Sequence, residues 1–155
     1  MTTVLEASGS ALAYLAAHNV ATLATCGPAG PWAAAVFYVN EDFTLYFLSA
    51  PTTRHSADIA HDARVAATIQ EDYARWQDIK GIQLEGRAVR LAGAAAAEAY
   101  AHYAAKFPFT MAGTAAEVLA RALAKVAWYR LDPVHLYFID NAQGFGHREE
   151  IPLAR

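Results

Sequence analysis

The side chains most able to bind a ligand or to react lie together at one point of the chain. There an aromatic and branched segment, residues 43–48, ends in a turn. The side chains are Ser49, Thr53, Arg54 and His55. A short helix is predicted over residues 56–61, directly after them. Hydroxyl groups, two basic side chains and the unpaired N–H groups of a helix N-terminus would then meet at one strand end. That combination binds phosphate groups, and an arginine such as Arg54 can hold two phosphate oxygens at once.

A plainer interpretation of this segment is that Thr52 or Thr53 only caps the helix and that the basic residues face solvent. The strand that leads into the turn is apolar and aromatic enough to form the wall of a barrel. If a phosphate binds here, the sequence therefore favours one carried on a flat aromatic group over one in a nucleic acid.

Residues 79–91 form the clearest single strand, because apolar and polar side chains alternate along them. Gln83 lies on the polar side, where its amide can bind the edge of a flat heterocycle. Gly81 and Gly86 would let a ring approach the backbone closely. The alternative is that Gln83 belongs to a row of solvent-facing polar residues. Gly86 also predicts a bulge or a bend of a barrel strand.

Other kinds of site have little support. The six histidines show no metal-binding spacing, so we expect no metal site. Cys26 is the single cysteine, which excludes a disulfide within the chain, and we interpret it as a bystander thiol. The glycines at 144 and 146 lack the third glycine of a dinucleotide-binding motif. No side chain can be named as a catalytic acid or base.

The composition indicates one globular domain over residues 1–155. Apolar residues make up 55% of the chain, charged residues 17%, and the net charge is −3. Basic residues are scattered, which argues against binding to a nucleic acid or a membrane surface. We see neither a signal peptide nor a stretch long enough to span a membrane, so a cytoplasmic location is expected.

The order of predicted elements favours a mainly β, α+β fold. A first helix would be capped by Ser8 or Ser10, and Leu12 and Leu15 would be on its apolar side. Strands are predicted at residues 20–25, 32–39, 43–48, 63–70, 79–91, 126–131 and 134–139. Two later helices are predicted, one over residues 94–106 and one starting at Thr114. The result is a six- or seven-stranded antiparallel split β-barrel with an N-terminal helix and two later helices.

This order resembles the pyridoxamine 5′-phosphate oxidase-related, FMN-binding split β-barrel superfamily. The resemblance runs from residue 12 to residue 91 and includes Trp-Tyr-Arg-Leu-Asp-Pro at 128–133. Residues 80–86 and 138–146 are similar to one branch of the superfamily, which consists of small bacterial proteins of unassigned function.

The resemblance implies that Ser49, Thr53, Arg54 and His55 hold the phosphate of FMN. It also implies that the backbone of Val36, Phe37 and Tyr38 lines the isoalloxazine ring, with Gln83 as a further candidate ligand. Family members are usually dimers with the flavin between subunits, so a homodimer is expected. The family usually has lysine where His55 stands, which weakens that part of the phosphate site.

The function implied is that of an FMN-dependent oxidoreductase acting on an unknown small substrate. The true oxidase has glutamine where this chain has Gly81, and the basic residues that bind its substrate are not evident. Oxidation of pyridoxamine phosphate is therefore not expected. His55 and Tyr38 are the first residues to examine for a catalytic role. The alternatives are a non-catalytic flavin-binding or sensing module, or the same fold with deazaflavin F420 or haem.

Overall fold

The computed structural model describes residues 3–108, 121 and 124–154. Three helices and seven strands lie in these residues. The helices are α1 (Val4–Ala17), α2 (Arg54–His61) and α3 (Gly93–Lys106). The strands are β1 (Val20–Gly27), β2 (Gly30–Glu41), β3 (Thr44–Ser49), β4 (Arg64–Gln70), β5 (Lys80–Leu91), β6 (Ala127–Asp140) and β7 (Arg148–Glu150). Short 3-10 turns occupy Trp76–Asp78 and Asn141–Gln143.

The strands form one antiparallel sheet in the order β3-β2-β1-β4-β5-β6-β7. An additional pairing of β3 with β6 closes the first six strands into a barrel, and β7 adds to β6 outside the closed ring. The predicted α+β barrel is therefore confirmed. Among the described residues, no helix combines the length and the apolar character that crossing a bilayer requires.

Strand β6 corrects the prediction of two separate strands at 126–131 and 134–139. The chain runs through Asp132 and Pro133 as one strand. Opposite Gly86, the β5–β6 register skips Val134, so the missing N–H of Pro133 falls at an irregularity of the ladder. A Cβ at Gly86 would lie 2.2 Å from the Asp132 carbonyl oxygen. The bulge predicted at Gly86 is thus confirmed, and only glycine fits this close approach.

The ends of other elements also differ from the prediction. Helix α1 is capped by Thr3 rather than by Ser8 or Ser10, because Thr3 and Glu6 form a capping box. The Glu6 N–H donates to Thr3 Oγ1 at 3.2 Å, and the Thr3 N–H donates to Glu6 Oε2 at 2.6 Å. Strand β7 was not predicted from its three residues. The predicted helix starting at Thr114 lies outside the described residues.

The core fills the barrel and the space under α1. The largest fully buried side chains come from α1, from six strands and from the C-terminal segment: Leu15, Leu23, Tyr38, Leu45, Phe47, Ile69, Ile82, Leu131, Leu136 and Ile151. A second apolar cluster lies under α3 and contains Tyr46, Tyr103 and Trp128. Trp128 is therefore a core residue.

Candidate functional site

Helix α2 begins at the strand end where the sequence predicted a phosphate site. Thr53 is its N-cap, and the Thr53 hydroxyl accepts a hydrogen bond from the Ser56 N–H at 3.4 Å. The Ala57 N–H donates to the Thr53 carbonyl at 3.0 Å. Arg54 and His55 are the first two helical residues, so their N–H groups have no acceptor within the helix. These two amides carry the partial positive charge of the helix N-terminus.

Three of the four predicted phosphate ligands lie together at this point. Ser49 Oγ is 3.0 Å from Thr53 Oγ1 and 2.5 Å from His55 Nε2, and His55 Nε2 is 3.3 Å from Thr53 Oγ1. Ser49 is buried, with 7% of its surface exposed, and pairs with Ala127 of β6. We call Ser49, Thr53, His55 and the first two amides of α2 the phosphate corner.

The imidazole of His55 favours its neutral form in the absence of a ligand. Burial lowers the pKa of His55, and the nearby Asp58 carboxylate opposes this only in part. The Ser49 hydroxyl can donate to the imidazole or accept from it, whereas the Thr53 hydroxyl already donates to the Ala50 carbonyl at 2.9 Å. An incoming anion would favour the imidazolium, so the phosphate corner can gain a positive charge when a phosphate binds.

The guanidinium group of Arg54 is the part of the predicted site that does not join the other three side chains. It lies over the ring of Trp32, 4.5 Å from the centroid. Its Nη2 donates to the carbonyls of Ala29 and Pro31 at 3.3 and 3.5 Å. The structure therefore brings the backbone of Arg54 to the phosphate corner, while its side chain contacts the β1–β2 hairpin.

Sequence reasoning missed Asp58, a buried carboxylate behind the phosphate corner. Asp58 is 4% exposed, accepts a hydrogen bond from Thr25 Oγ1 at 2.8 Å and lies 3.9 Å from Arg54 Nε. A Cβ at Gly27 would collide with Asp58 Oδ1 at 2.0 Å. The i,i+4 spacing of Arg54 and Asp58 was the available signal, since such pairs meet on one helix face.

The three predicted ring-lining residues of β2 have different surroundings. Val36 and Tyr38 are core residues, and the Tyr38 hydroxyl donates to the Leu15 carbonyl at 2.6 Å. Burial raises the pKa of Tyr38. Phe37 instead points outward and is 51% exposed, with its ring edge-on to Phe107 at 5.6 Å. Only backbone groups of Val36 and Tyr38 are therefore available to a ligand at the outer surface.

A half-buried lysine that the sequence did not single out lies beside β2. Lys106 Nζ is 4.4 Å from the ring centroid of Tyr38 and donates to the His18 carbonyl. Burial lowers the pKa of Lys106 to about 8. This places a cation of reduced basicity next to the Phe37–Tyr38 segment.

Gln83 lies on the outer surface of β5, away from the phosphate corner. Its cross-strand neighbours on that surface are Thr68 and Tyr137. Together with Gly81 and Lys80, Gln83 and Thr68 line a shallow cavity of about 280 Å³. Ser49, by contrast, shares the inward side of β3 with the core residues Leu45 and Phe47. One chain does not bring Gln83 and Ser49 together.

Comparison with known proteins identifies the family of the chain. The family model described as pyridoxamine 5′-phosphate oxidase matches residues 9–140, which include both α2 and Gln83. The chain belongs to this family. The resemblance found in the sequence is thereby confirmed for the superfamily and its fold.

Individual relatives cover most of the chain. A UPF0306 protein of Photorhabdus laumondii is 31% identical over 137 residues, which cover 87% of this chain and 88% of that protein. A haem-binding protein from Mycobacterium smegmatis matches with a TM-score of 0.73 and 20% identity, over 97% of this chain and 58% of its own. HutZ, the haem storage protein from Vibrio cholerae, matches with a TM-score of 0.66 and 17% identity. The match covers 80% of this chain and 88% of HutZ. At these identities the two structures show the fold alone.

Proposed function

We propose that this protein is a cytoplasmic FMN-binding flavoprotein whose phosphate corner holds the phosphate of FMN. The observation that carries the proposal is the convergence of Ser49, Thr53 and His55 on the N-terminus of α2, with distances of 2.5 to 3.3 Å among the three side chains. Two hydroxyls, an imidazole and two helix amides can donate to one phosphate group. On binding, their present bonds, including that of the Thr53 hydroxyl to the Ala50 carbonyl, would exchange for charge-assisted bonds to the anion, which are stronger than neutral ones.

Arg54 would complete the clamp by leaving its place over Trp32. Its side chain is partly exposed, and its Nε is a buried donor without a hydrogen-bond partner among the described residues. The two carbonyl contacts of Nη2 are long, at 3.3 and 3.5 Å. A charge-assisted bond to phosphate is stronger than such neutral contacts. The Asp58 carboxylate would then lie near the positively charged groups that hold the phosphate.

The isoalloxazine ring would lie against the outer surface of the barrel, between two copies of the chain. Small side chains cover this surface across β2, β1 and β4: Thr22, Ala24, Ala33, Ala35, Ala66 and Thr68. Val20 and Phe37 pair at its margin and are 44% and 51% exposed. A flat and uncharged surface with exposed apolar groups suits both a planar ring and a second subunit. A homodimer would also bring Gln83 close to a flavin whose phosphate is bound elsewhere.

The activity we infer is that of an FMN-dependent oxidoreductase with a small-molecule substrate. When bound, FMN supplies electron and hydride transfer, and the protein binds and orients the cofactor and shapes the space above it. In this chain the orienting groups are the phosphate corner, the β2 backbone near Phe37 and the amide of Gln83. Lys106, whose pKa is lowered by burial, lies beside that segment and can hold a proton there.

Haem binding is the second candidate, because two proteins of the same fold are named as haem-binding and haem storage proteins. The two candidates differ in what they need from the phosphate corner. FMN requires one phosphate clamp, whereas haem requires an iron ligand and groups for two carboxylates.

The deciding experiment is an absorption spectrum and an FMN titration of the purified protein, with riboflavin in parallel. We expect a flavin spectrum on loading, and much tighter binding of FMN than of riboflavin, since only FMN carries the phosphate. Equal affinities for the two would contradict the phosphate corner. A Soret band on haem addition without flavin binding would favour the second candidate. Loaded protein that NADH and NADPH cannot reduce would favour a binding or sensing module.

A further inference from the structure

A second cluster of ligand-type side chains lies where α3 crosses the end of the β2–β3 hairpin. It consists of Glu41, Glu98 and His102. One oxygen from each carboxylate and one nitrogen of the imidazole all lie within 4.8 Å of one another. Neither the phosphate corner nor the outer surface near Gln83 includes any of these residues. These three residues form no metal-binding motif along the chain, because Glu41 is far from the other two in sequence.

The fold positions each of these side chains. Glu98 and His102 are four residues apart on α3, so they lie on one face of the helix, one turn apart. Glu41 is the last residue of β2, directly before the turn at Asp42, whose φ is 48°. Helix α3 packs across β2, β3 and β6. Its Glu98–His102 face thereby meets the hairpin end.

Tyr46 of β3 contacts two of the three residues and fixes their orientation. Its ring stacks on His102, with centroids 5.6 Å apart and an angle of 16° between the planes. Its hydroxyl donates to Glu41 Oε2 at 3.3 Å. Groups that hold a ligand side chain in place in this way are typical of metal sites. The nearby Arg130 pairs with a different carboxylate, since its Nε donates to Asp132 at 2.9 Å.

Among the described residues, the spacing of His102 and Glu41 differs from that of three other histidine–glutamate pairs, although His135 Nε2 and Glu85 Oε1 are also far apart, at 4.0 Å. His18 with Glu71, His135 with Glu150 and His147 with Glu149 each close to 2.7 Å, which is a direct hydrogen bond. His102 Nε2 and Glu41 Oε2 stand 3.7 Å apart. Two ligand atoms on one tetrahedral Zn²⁺, each about 2.0–2.2 Å from it, are about 3.4 Å apart. The separation is thus long for a hydrogen bond and suited to two ligands of one ion.

We propose that Glu41, Glu98 and His102 bind a divalent first-row transition metal ion such as Zn²⁺. One imidazole and two carboxylates are ligands of this class of ion, and three protein ligands leave a coordination position open to water. The ion would join α3 to the β2–β3 hairpin and so stabilise the folded protein. This proposal does not depend on the proposed flavin function.

The test is Zn²⁺ binding to chelator-treated full-length protein by titration calorimetry, for the wild type and for His102→Ala and Glu98→Gln. We expect one Zn²⁺ per chain in the wild type and at least tenfold weaker binding in each variant. Zn²⁺ should also raise the melting temperature of the wild type more than that of either variant. Co²⁺ spectra provide a second readout, since the position and intensity of the visible d–d bands depend on the coordination number and the ligands.

The matched control is His135→Ala. His135 also lies between two glutamates, but Glu150 meets its Nδ1 and Glu85 its Nε2, so the three groups do not converge on one ion. This variant should bind Zn²⁺ like the wild type. Absence of Zn²⁺ binding in the folded wild type would overturn the proposal. Wild-type affinity in both His102→Ala and Glu98→Gln would overturn it as well.

Discussion

The last residue of β3 and the second residue of α2 are joined by one hydrogen bond, because Ser49 Oγ lies 2.5 Å from His55 Nε2. This bond ties the strand end to the helix N-terminus before any ligand arrives. The imidazole is partly buried at this point, and burial lowers the pKa of His55.

FMN affinity should rise as the pH falls. Free His55 is neutral at pH 7 and a bound phosphate favours its imidazolium, so binding takes up a proton. Flavin fluorescence titrations between about pH 8 and about pH 5.5 measure the effect, around the ordinary histidine pKa of about 6.5. His55→Gln should flatten the dependence to that of the phosphate itself. Riboflavin affinity should not vary with pH, and a wild-type slope retained in His55→Gln would exclude this role for His55.

The lowered pKa of His55 also makes the folding stability depend on pH. Stability should fall as the pH falls, whereas FMN affinity should rise. Because the pKa of His55 is lower in the folded protein, the unfolded chain takes up the proton first as the pH falls. The stability present above about pH 6.5 is therefore lost as the pH decreases through the lowered folded-state pKa. Urea unfolding of ligand-free protein should show a smaller loss toward acid pH in His55→Gln than in the wild type. Identical pH profiles would show that His55 is not the group responsible.

Arg54→Ala should weaken FMN binding by about 2 kcal/mol, or roughly thirtyfold, if the guanidinium bonds the phosphate. The control is Arg64→Ala, since the Arg64 side chain is exposed and bonds Asp62. Binding by that variant should stay at the wild-type level. Unchanged FMN affinity in folded Arg54→Ala would mean that its guanidinium stays over Trp32 in the complex.

Tyr38→Phe should destabilise the protein by about 1–2 kcal/mol, because the Leu15 carbonyl loses a buried donor. FMN affinity should not change, since Tyr38 offers only its backbone to the outer surface. Urea unfolding and FMN titration of one preparation separate the two effects. If the variant is fully folded during the titration and still binds FMN more weakly, the Tyr38 hydroxyl interacts with the ligand.

Gly86→Ala should cost about 1–3 kcal/mol or more, because its Cβ would overlap the Asp132 carbonyl at 2.2 Å and Pro133 Cα at 2.8 Å. Gly9→Ala is the matched control within α1, where nothing lies within 4 Å of the added Cβ. That change should stabilise the protein by about 0.5–1 kcal/mol. Thermal melting of the two variants should therefore shift in opposite directions.

The sequence predicted most of the barrel because its signals are local. Alternation along β5 and the apolar run of β3 each specify a strand without reference to the rest of the chain. The Asp132-Pro133 break misled the prediction because Val134 is skipped only in the register with β5, which is a tertiary property. The same holds for the candidate site. Cap and strand-end signals placed Ser49, Thr53 and His55, whereas the position of the Arg54 guanidinium depends on Trp32, which is distant in sequence.

The pairing of β3 with β6 has a consequence for the order in which parts of the protein fold during synthesis. Ser49 pairs with Ala127 of β6. One edge of β3 therefore has no partner strand until the ribosome has synthesised β6. Closing so distant a pair is slow, because the loop entropy must be overcome before the contacts form. Ser49, one member of the phosphate corner, therefore gains its β6 neighbour late in folding. Cofactor loading during translation should lag behind formation of the β1–β2 hairpin, which needs only neighbouring residues.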